Sequence, residues 1–245
     1  MISNFKMKYF PNFITSLNLA SGFFAIIFAG NGDIISASWL ILAAMVFDFL
    51  DGFSARLLKA YSDIGKELDS LADVVSFGVA PALIIYHLLY DSLSLSSPMI
   101  VDSDNIIVSI MLIVPVIMPV FGALRLAIFN LDTTQSTTFR GLPIPANALA
   151  VISIVLAGNY SHSPVFSAFT GSAAALVAYT VILSLLMVTR IPLLSLKISN
   201  FKVKGNQGRY ILAGMIVVSF IFLGANAAPL MIPLYIIASL LSLLF

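Results

Sequence analysis

The sequence predicts an all-α membrane protein, a single domain folded as a polytopic bundle of about eight transmembrane helices with both termini on the same side. Three observations predict it. Of the 245 residues, 60% are hydrophobic and 9% are charged, more apolar surface than a soluble chain of this length needs. Apolar runs of about 17–25 residues recur along the chain, each long enough to span a hydrocarbon core. When those runs are threaded alternately through a bilayer, all 12 lysines and arginines fall on one side.

The runs occupy 12–30, 34–58, 64–90, 105–130, 143–159, 165–189, 209–225 and 228–245. The first lacks a small-x-small cleavage site and similar runs follow it, so it reads as a retained helix rather than a leader. Turn chemistry marks the breaks: Gly30-Asn31-Gly32-Asp33, Tyr61-Ser62-Asp63, and the stretches 92–104, 132–140, 158–164 and 225–229. Residues 1–13 mix Lys6 and Lys8 with Phe5, Met7, Tyr9, Phe10 and Phe13, which suits either a short interfacial helix or an ordinary basic flank.

Orientation follows from charge. Lys6, Lys8, Arg56, Lys59, Lys66, Arg125, Arg140, Arg190, Lys197, Lys202, Lys204 and Arg209 share one side; Asp33, Asp91, Asp102 and Asp104 occupy the other. The positive-inside rule then places both termini in the cytoplasm. The basic run 197–209 serves as a topology signal or as an attraction for anionic lipid headgroups. A net charge of +1 gives no global pull toward nucleic acid, and the absence of cysteine excludes disulfide and thiol chemistry.

The most informative stretch runs from Asp48 to Asp73. Asp48 and Asp51 are three residues apart and Asp69 and Asp73 four apart, so each pair shares a helix face. Two helices joined by a short turn at Tyr61-Ser62-Asp63 can aim four carboxylates at one point, near the cytoplasmic end of the second and third spans. Ionisable groups in membrane segments are costly and mark function by default. An all-carboxylate donor set suits hard cations such as Mg²⁺ or Mn²⁺. Cysteine is absent and His87 and His162 lie toward the opposite side, which argues against zinc. Gly52 and Ala55 allow close approach of a ligand, and Arg56 offers a planar fork to a phosphate. The pattern describes a metal–pyrophosphate site. An ion pathway is the competing reading, but transporters place their acids near the midplane and often show repeated halves, and no repeat is visible here.

The order Asp-x2-Asp-Gly-x2-Ala-Arg-x8-Gly-x3-Asp-x3-Asp resembles the signature of the CDP-alcohol phosphotransferases, and Asp48, Asp51, Gly52, Ala55, Arg56, Gly65, Asp69 and Asp73 fill every position. The resemblance implies transfer of a phosphatidyl group from a CDP-linked donor to an alcohol, with release of CMP. It implies that Asp48, Asp51, Asp69 and Asp73 line a site for two divalent ions and that Asp73 is also the general base. Gly52, Ala55, Arg56 and Gly65 would surround the cytidine diphosphate. Thr15 and Asn18, on one face of the first span, either reach the nucleotide phosphates or make packing hydrogen bonds. A six-helix core, usually dimeric, would occupy about residues 8–190 and leave the helices at about 209–245 as additions.

Three further segments narrow the acceptor. They are Pro11-Asn12-Phe13-Ile14-Thr15-Ser16-Leu17-Asn18, Ser76-Phe77-Gly78-Val79-Ala80-Pro81, and the stretch from Arg125 through Asn130 to Arg140-Gly141-Leu142-Pro143-Ile144-Pro145-Ala146. All three resemble the bacterial and archaeal phosphatidylserine synthases of this family, over about residues 8–150. The implied substrates are CDP-diacylglycerol and L-serine. An arginine can hold the serine carboxylate bidentately, and Arg125 and Arg140 are the candidates, with Asn130 orienting the amino acid. Snorkelling and topology explain the two arginines as well. A phosphorylated acceptor should demand a denser arginine cluster. The segment 141–145 reads either as irregular backbone lining a cavity or as a plain helix start.

Overall fold

The computed structural model describes residues 2–95, 105–131, 138–161, 163–194 and 206–242, with side chains from residue 9 onward except those of residues 138 and 139. His162, Asp102, Asp104, Lys197, Lys202 and Lys204 therefore lie outside the described residues, as do the side chains of Lys6 and Lys8.

The bundle begins with a helical hairpin. Helix α1 (Ile2–Gly30) and α2 (Ile34–Leu57) are joined by a tight turn in which Gly32 adopts φ +85°. Glycine suits that conformation because it has no Cβ to clash. Asp33 caps α2, accepting a hydrogen bond from the Ser36 amide at 3.0 Å. The Ser36 side chain and amide hold the Asp33 carboxyl below its ordinary value.

The third span runs unbroken from Asp63 to Ser92. It comprises α3 (Asp63–Asp73), a π-helical turn (Val74–Val79) and α4 (Ala80–Ser92). Periodicity predicts the span but gives no sign of the widened turn inside it. Single π turns inside α-helices concentrate at functional sites, and this one begins at the residue after Asp73. It lies where three elements crowd. An added Cβ on Gly22 of α1 would lie 2.7 Å from the Ser76 Cα, and one on Gly78 would lie 3.2 Å from the Pro119 Cα. Small residues permit this close backbone approach.

The fourth span, Ile106–Leu131, contains α5 (Ile106–Ile113), a 3₁₀ turn at Val114–Val116 that includes Pro115, and α6 (Ile117–Leu131). Helix α7 (Ile144–Ser161) is the fifth, and its Ile144 fills the space over Gly78 and Gly122. The span expected at 165–189 is not one straight helix. Helices α8 (Pro164–Thr170) and α9 (Ala173–Val188) meet at 83°. Gly171 ends the first, and Ser172 starts the second by capping the Ala175 amide.

Between α6 and α7 lies strand β1 (Thr138–Arg140), and after α9 comes β2 (Pro192–Leu194). They pair antiparallel, with Arg140 opposite Pro192. This two-stranded clasp is absent from the sequence expectation, because three residues give no readable period.

The last stretch, Gln207–Leu241, comprises α10 (Gln207–Leu223), a 3₁₀ segment (Gly224–Leu230) and α11 (Met231–Leu241). It doubles back at Gly224, which takes φ +55°. Gly208 consequently packs against Ser242, at the far end of the same stretch. Helix α11 docks on the clasp: Tyr235 donates to the Leu194 carbonyl at 2.9 Å, and the Leu194 amide donates to Ser239 Oγ at 3.1 Å. Among the described residues six helical stretches are long and apolar enough to cross a membrane, or seven if the bent α8–α9 pair is one span. The expectation of eight counts the two arms of the last stretch separately. The protein is an all-α polytopic membrane bundle.

Gly22→Ala tests the closest helix contact. The new methyl would meet the Ser76 backbone at Cα as well as its side chain, so rotating the hydroxyl away is not enough and α1 and the π turn must separate. Overpacking of this kind costs about 1–3 kcal/mol. The variant should melt at a lower temperature in detergent than wild type, and unchanged melting would show that the contact is compliant.

Candidate catalytic and anion-binding site

The acidic site is built by the α2–α3 hairpin against α1. Asp48 and Asp51 lie in the last turns of α2, and Asp69 and Asp73 in the last turns of α3. The intervening turn is closed by Ser62, whose Oγ accepts the Gly65 amide at 3.0 Å and so starts α3. Carboxylate oxygens of Asp48, Asp51 and Asp69 lie within 4.8 Å of one another. Asp51 and Asp73 are only 5% and 7% exposed. The expected clustering of Asp48, Asp51 and Asp69 is therefore present, with Asp73 one turn beyond Asp69.

Helix α1 supplies the partners. Asn18 is fully buried; its Nδ2 donates to Asp73 Oδ1 at 3.3 Å, and its carbonyl accepts the Ser76 hydroxyl at 3.0 Å. One asparagine thus holds both the carboxylate and the π turn beside it. The Thr15 hydroxyl donates to the Pro11 carbonyl at 3.1 Å, and Thr15 neighbours Asp51. Thr15 and Asn18, expected near the nucleotide phosphates, stand against the carboxylates themselves.

Gly52 and Gly65 sit in different surroundings. A Cβ on Gly52 would meet nothing within 4 Å, so no packing contact of the protein requires glycine there. A Cβ on Gly65 would lie 2.8 Å from Asn12 Oδ1 and 2.9 Å from Ser62 Oγ, so this glycine lets α3 close on α1. Ala55 is half-buried and Arg56 is exposed near the C-terminal end of α2.

Among the described residues no cation forms a salt bridge with the carboxylates; the one salt bridge there is His87–Asp91, remote from the cluster. Asp51 Oδ2, Asp69 Oδ1 and Asn18 Oδ1 are buried without hydrogen-bond partners. Orphaned buried oxygens need an explanation, and several carboxylates facing one another without a counter-charge fit a cation. An all-oxygen, multi-carboxylate donor set is of the kind that holds a hard divalent ion. The residues present fit a metal ion.

A second, oppositely charged region lies beyond the cluster. Arg125, Ile128 and Phe129 of α6, Arg140 of β1, and Met187, Val188, Thr189 and Arg190 line a cavity of about 420 Å³. Arg125 is 8% exposed, its Nε is buried without a partner, and its guanidinium carbon lies 5.9 Å from the Phe129 ring centre. It also lies within electrostatic reach of Asp73, which links the two regions. The structure thus brings Arg125 and Arg140 together. It places Asn130 elsewhere: the Asn130 Nδ2 donates to Ser70 Oγ at 2.9 Å, and its carbonyl accepts Lys66 Nζ at 3.1 Å. Asn130 joins α6 to α3 and does not line the cavity. Arg190 does line it, although sequence reasoning gave it only a topological part. Its signal was a cation directly after an apolar helix, which a basic flank explains equally well. A larger apolar cavity of about 540 Å³ lies among α7, α8, α9 and α11 with no charged residue in its lining.

Comparison with known proteins agrees with this geometry. The family model for CDP-alcohol phosphatidyltransferases matches residues 8–242, well past the 8–150 over which segment resemblance was legible. The chain is 35% identical over 241 residues to the CDP-diacylglycerol–serine O-phosphatidyltransferase of Helicobacter pylori, covering 96% of this chain and 91% of that one. It is 33% identical to the enzyme of that name from Bacillus subtilis, over 66% of this chain and 81% of the relative. It is 37% identical to the archaetidylserine synthase of Methanothermobacter thermautotrophicus, over 62% and 60%. With the Asp48–Asp73 signature assembled on one helical hairpin and the family model matched from α1 to α11, the chain belongs to the CDP-alcohol phosphatidyltransferase family.

Proposed function

We propose that the protein transfers the phosphatidyl group of CDP-diacylglycerol to the hydroxyl of L-serine, forming phosphatidylserine and CMP. The observation that carries this reading is the convergence of Asp48, Asp51 and Asp69, with Asp73 beside them in the grip of Asn18. The names of the similar proteins support serine as the acceptor.

In this reading the serine oxygen attacks the phosphorus that carries diacylglycerol, the bond from that phosphorus to the CMP oxygen breaks, and CMP leaves with the electron pair. Asp73 takes the hydroxyl proton, as a carboxylate within hydrogen-bond reach can. Asn18 fixes one Asp73 oxygen and leaves the other for the proton. Asp48, Asp51, Asp69 and Asp73 would hold the divalent ions, Mg²⁺ or Mn²⁺ and two by family resemblance. When bound, such ions neutralise a diphosphate and stabilise its leaving oxygen. Gly52, Ala55, Arg56 and Gly65 surround the cytidine diphosphate, and the open space at Gly52 supports that placement. Arg125 and Arg140 hold the serine carboxylate, and Asn130 acts from the α3 side through Ser70.

The same reading includes a homodimer, a catalytic core at about 8–190 with helices at about 209–245 added, and a site open to the cytoplasm of a cell membrane. The charge asymmetry supports the orientation. A phosphorylated alcohol remains the second reading on one observation, the third arginine in the cavity.

Purified protein given CDP-diacylglycerol and a panel of alcohols decides between them. CMP should appear with L-serine and not with glycerol phosphate or inositol phosphate; the opposite pattern removes serine.

Two substitutions separate the roles of the acids. Asp73→Asn should still bind the donor but lose transfer by about 10²–10⁴-fold, the usual effect of a missing base. Asp51→Ala should instead lose metal-dependent donor binding, because a ligand oxygen is gone. Normal Mg²⁺-dependent donor binding by Asp51→Ala would remove it from the metal set.

Orientation can be read from single cysteines in this cysteine-free chain. A cysteine at Ser62 should react with an impermeant thiol reagent from the cytoplasmic side, and one at Ser94 from the other. The reverse pattern would contradict the charge argument.

A further inference from the structure

Arg190 belongs to none of the motifs above, yet the fold delivers it to the same cavity as Arg125 and Arg140. We propose that Arg190 is a third acceptor-binding residue that sets specificity by charge, holding the acceptor carboxylate with the other two arginines and excluding amino alcohols that lack one. The inference rests on the serine reading given above.

Three elements converge to make the cavity. Arg125 comes from α6, largely buried and with its Nε unpartnered. Arg140 and Arg190 are brought together by the β1–β2 clasp. Arg140 pairs with Pro192, and the Gly141 amide donates to the Ile191 carbonyl at 3.0 Å. Gly141 takes φ +76°, and a Cβ there would lie 2.4 Å from the Met187 carbonyl oxygen. The Leu142 amide then bonds the Leu186 carbonyl at 2.9 Å. The segment carrying Arg140 is thus seated on the C-terminal end of α9, where Arg190 emerges. A basic topology flank explains a cation at that point in the chain. It gives no reason for the side chain to share a cavity with a buried arginine from α6.

The chemistry follows from the lining, which among the described residues includes three arginines and no acid. Guanidinium stays charged at any relevant pH and pairs with carboxylate in a planar fork. Serine enters with a carboxylate to pair and no net charge. Ethanolamine has the same hydroxyl and ammonium but carries a net positive charge and no carboxylate, so the arginines repel it and gain no pairing from it. Specificity of this kind arises from the penalty on the wrong ligand as much as from contacts with the right one. Each further arginine adds to both effects.

CMP-release kinetics of Arg190→Gln against wild type test the proposal. The serine KM should rise roughly tenfold or more, the loss expected for one charge-assisted contact. The apparent affinity for CDP-diacylglycerol and the melting temperature should stay as in wild type, and kcat/KM for ethanolamine relative to serine should rise. Arg190→Lys keeps the charge without the fork, so it should continue to exclude ethanolamine while the serine KM rises less. The wild-type protein gives an independent readout that survives a misfolded variant. Phenylglyoxal modification of Arg190, mapped by mass spectrometry, should be slowed by L-serine and not by ethanolamine. Unchanged serine KM and selectivity in Arg190→Gln, or modification indifferent to serine, overturns the assignment. A wild type that releases no CMP with serine removes the acceptor reading itself, a result separable from any behaviour of the Arg190 variants.

Discussion

The rest of this structure depends on placing four carboxylates inside a membrane bundle. A carboxylate removed from water costs several kcal/mol unless it is paired or bound, and this protein provides no salt-bridging cation to the cluster among the described residues. What it provides is geometry. The α2–α3 hairpin sets the four acids on facing turns, and α1 closes against them with Thr15 and Asn18. Gly22 of α1 carries no side chain where it meets Ser76, and Gly65 of α3 carries none where it meets Asn12 of α1. The π turn after Asp73 lies within the same contact, because the Ser76 hydroxyl bonds the Asn18 carbonyl. The Asp73 carboxylate, the helix irregularity and the close packing are therefore one arrangement, and a change at any of the three is felt by the others.

The arginine cavity answers the acidic cluster with the opposite charge. It is made by a different kind of device, two short strands clasped over the end of α9, with α11 buttressing the second strand through Tyr235 and Ser239. The C-terminal stretch bears on the arginine cavity through the clasp, and its Tyr235 also lies within electrostatic reach of Arg125. Arg125 stands between the two regions, within electrostatic reach of Asp73 and on the wall of the cavity. In the proposed reaction this polarity sorts the substrates: the diphosphate with its cations goes to the acidic end, and the acceptor carboxylate goes to the basic end. The hydroxyl of a small amino acid then lies toward the base.

Much of this was legible in the residues, and the part that was not has a common cause. Helical spacing is local, so Asp48 with Asp51 and Asp69 with Asp73 could be paired from the chain alone, and the turn at Ser62 brought the pairs together. Asn130 was assigned to the acceptor because its amide can both donate and accept. Five residues beyond Arg125 it falls on a different face of α6, bonded to Ser70 and outside the cavity lining. Arg190 was passed over because its partners come from β1 and α6, distant in the chain. The α8–α9 bend was missed because Gly171-Ser172 in an apolar run reads as tolerable within a helix until packing chooses the break.

The sequence by itself determined the membrane class, the all-α bundle, the charge asymmetry and the acidic hairpin, since each depends on composition or on contacts within a few helical turns. Only the tertiary structure decided which polar side chains share a cavity, where the third span widens into a π turn, and how the last stretch folds back to seat the clasp. Those outcomes depend on backbones approaching across distant segments, at Gly22, Gly78 and Gly141. No local period encodes which surface a glycine will meet.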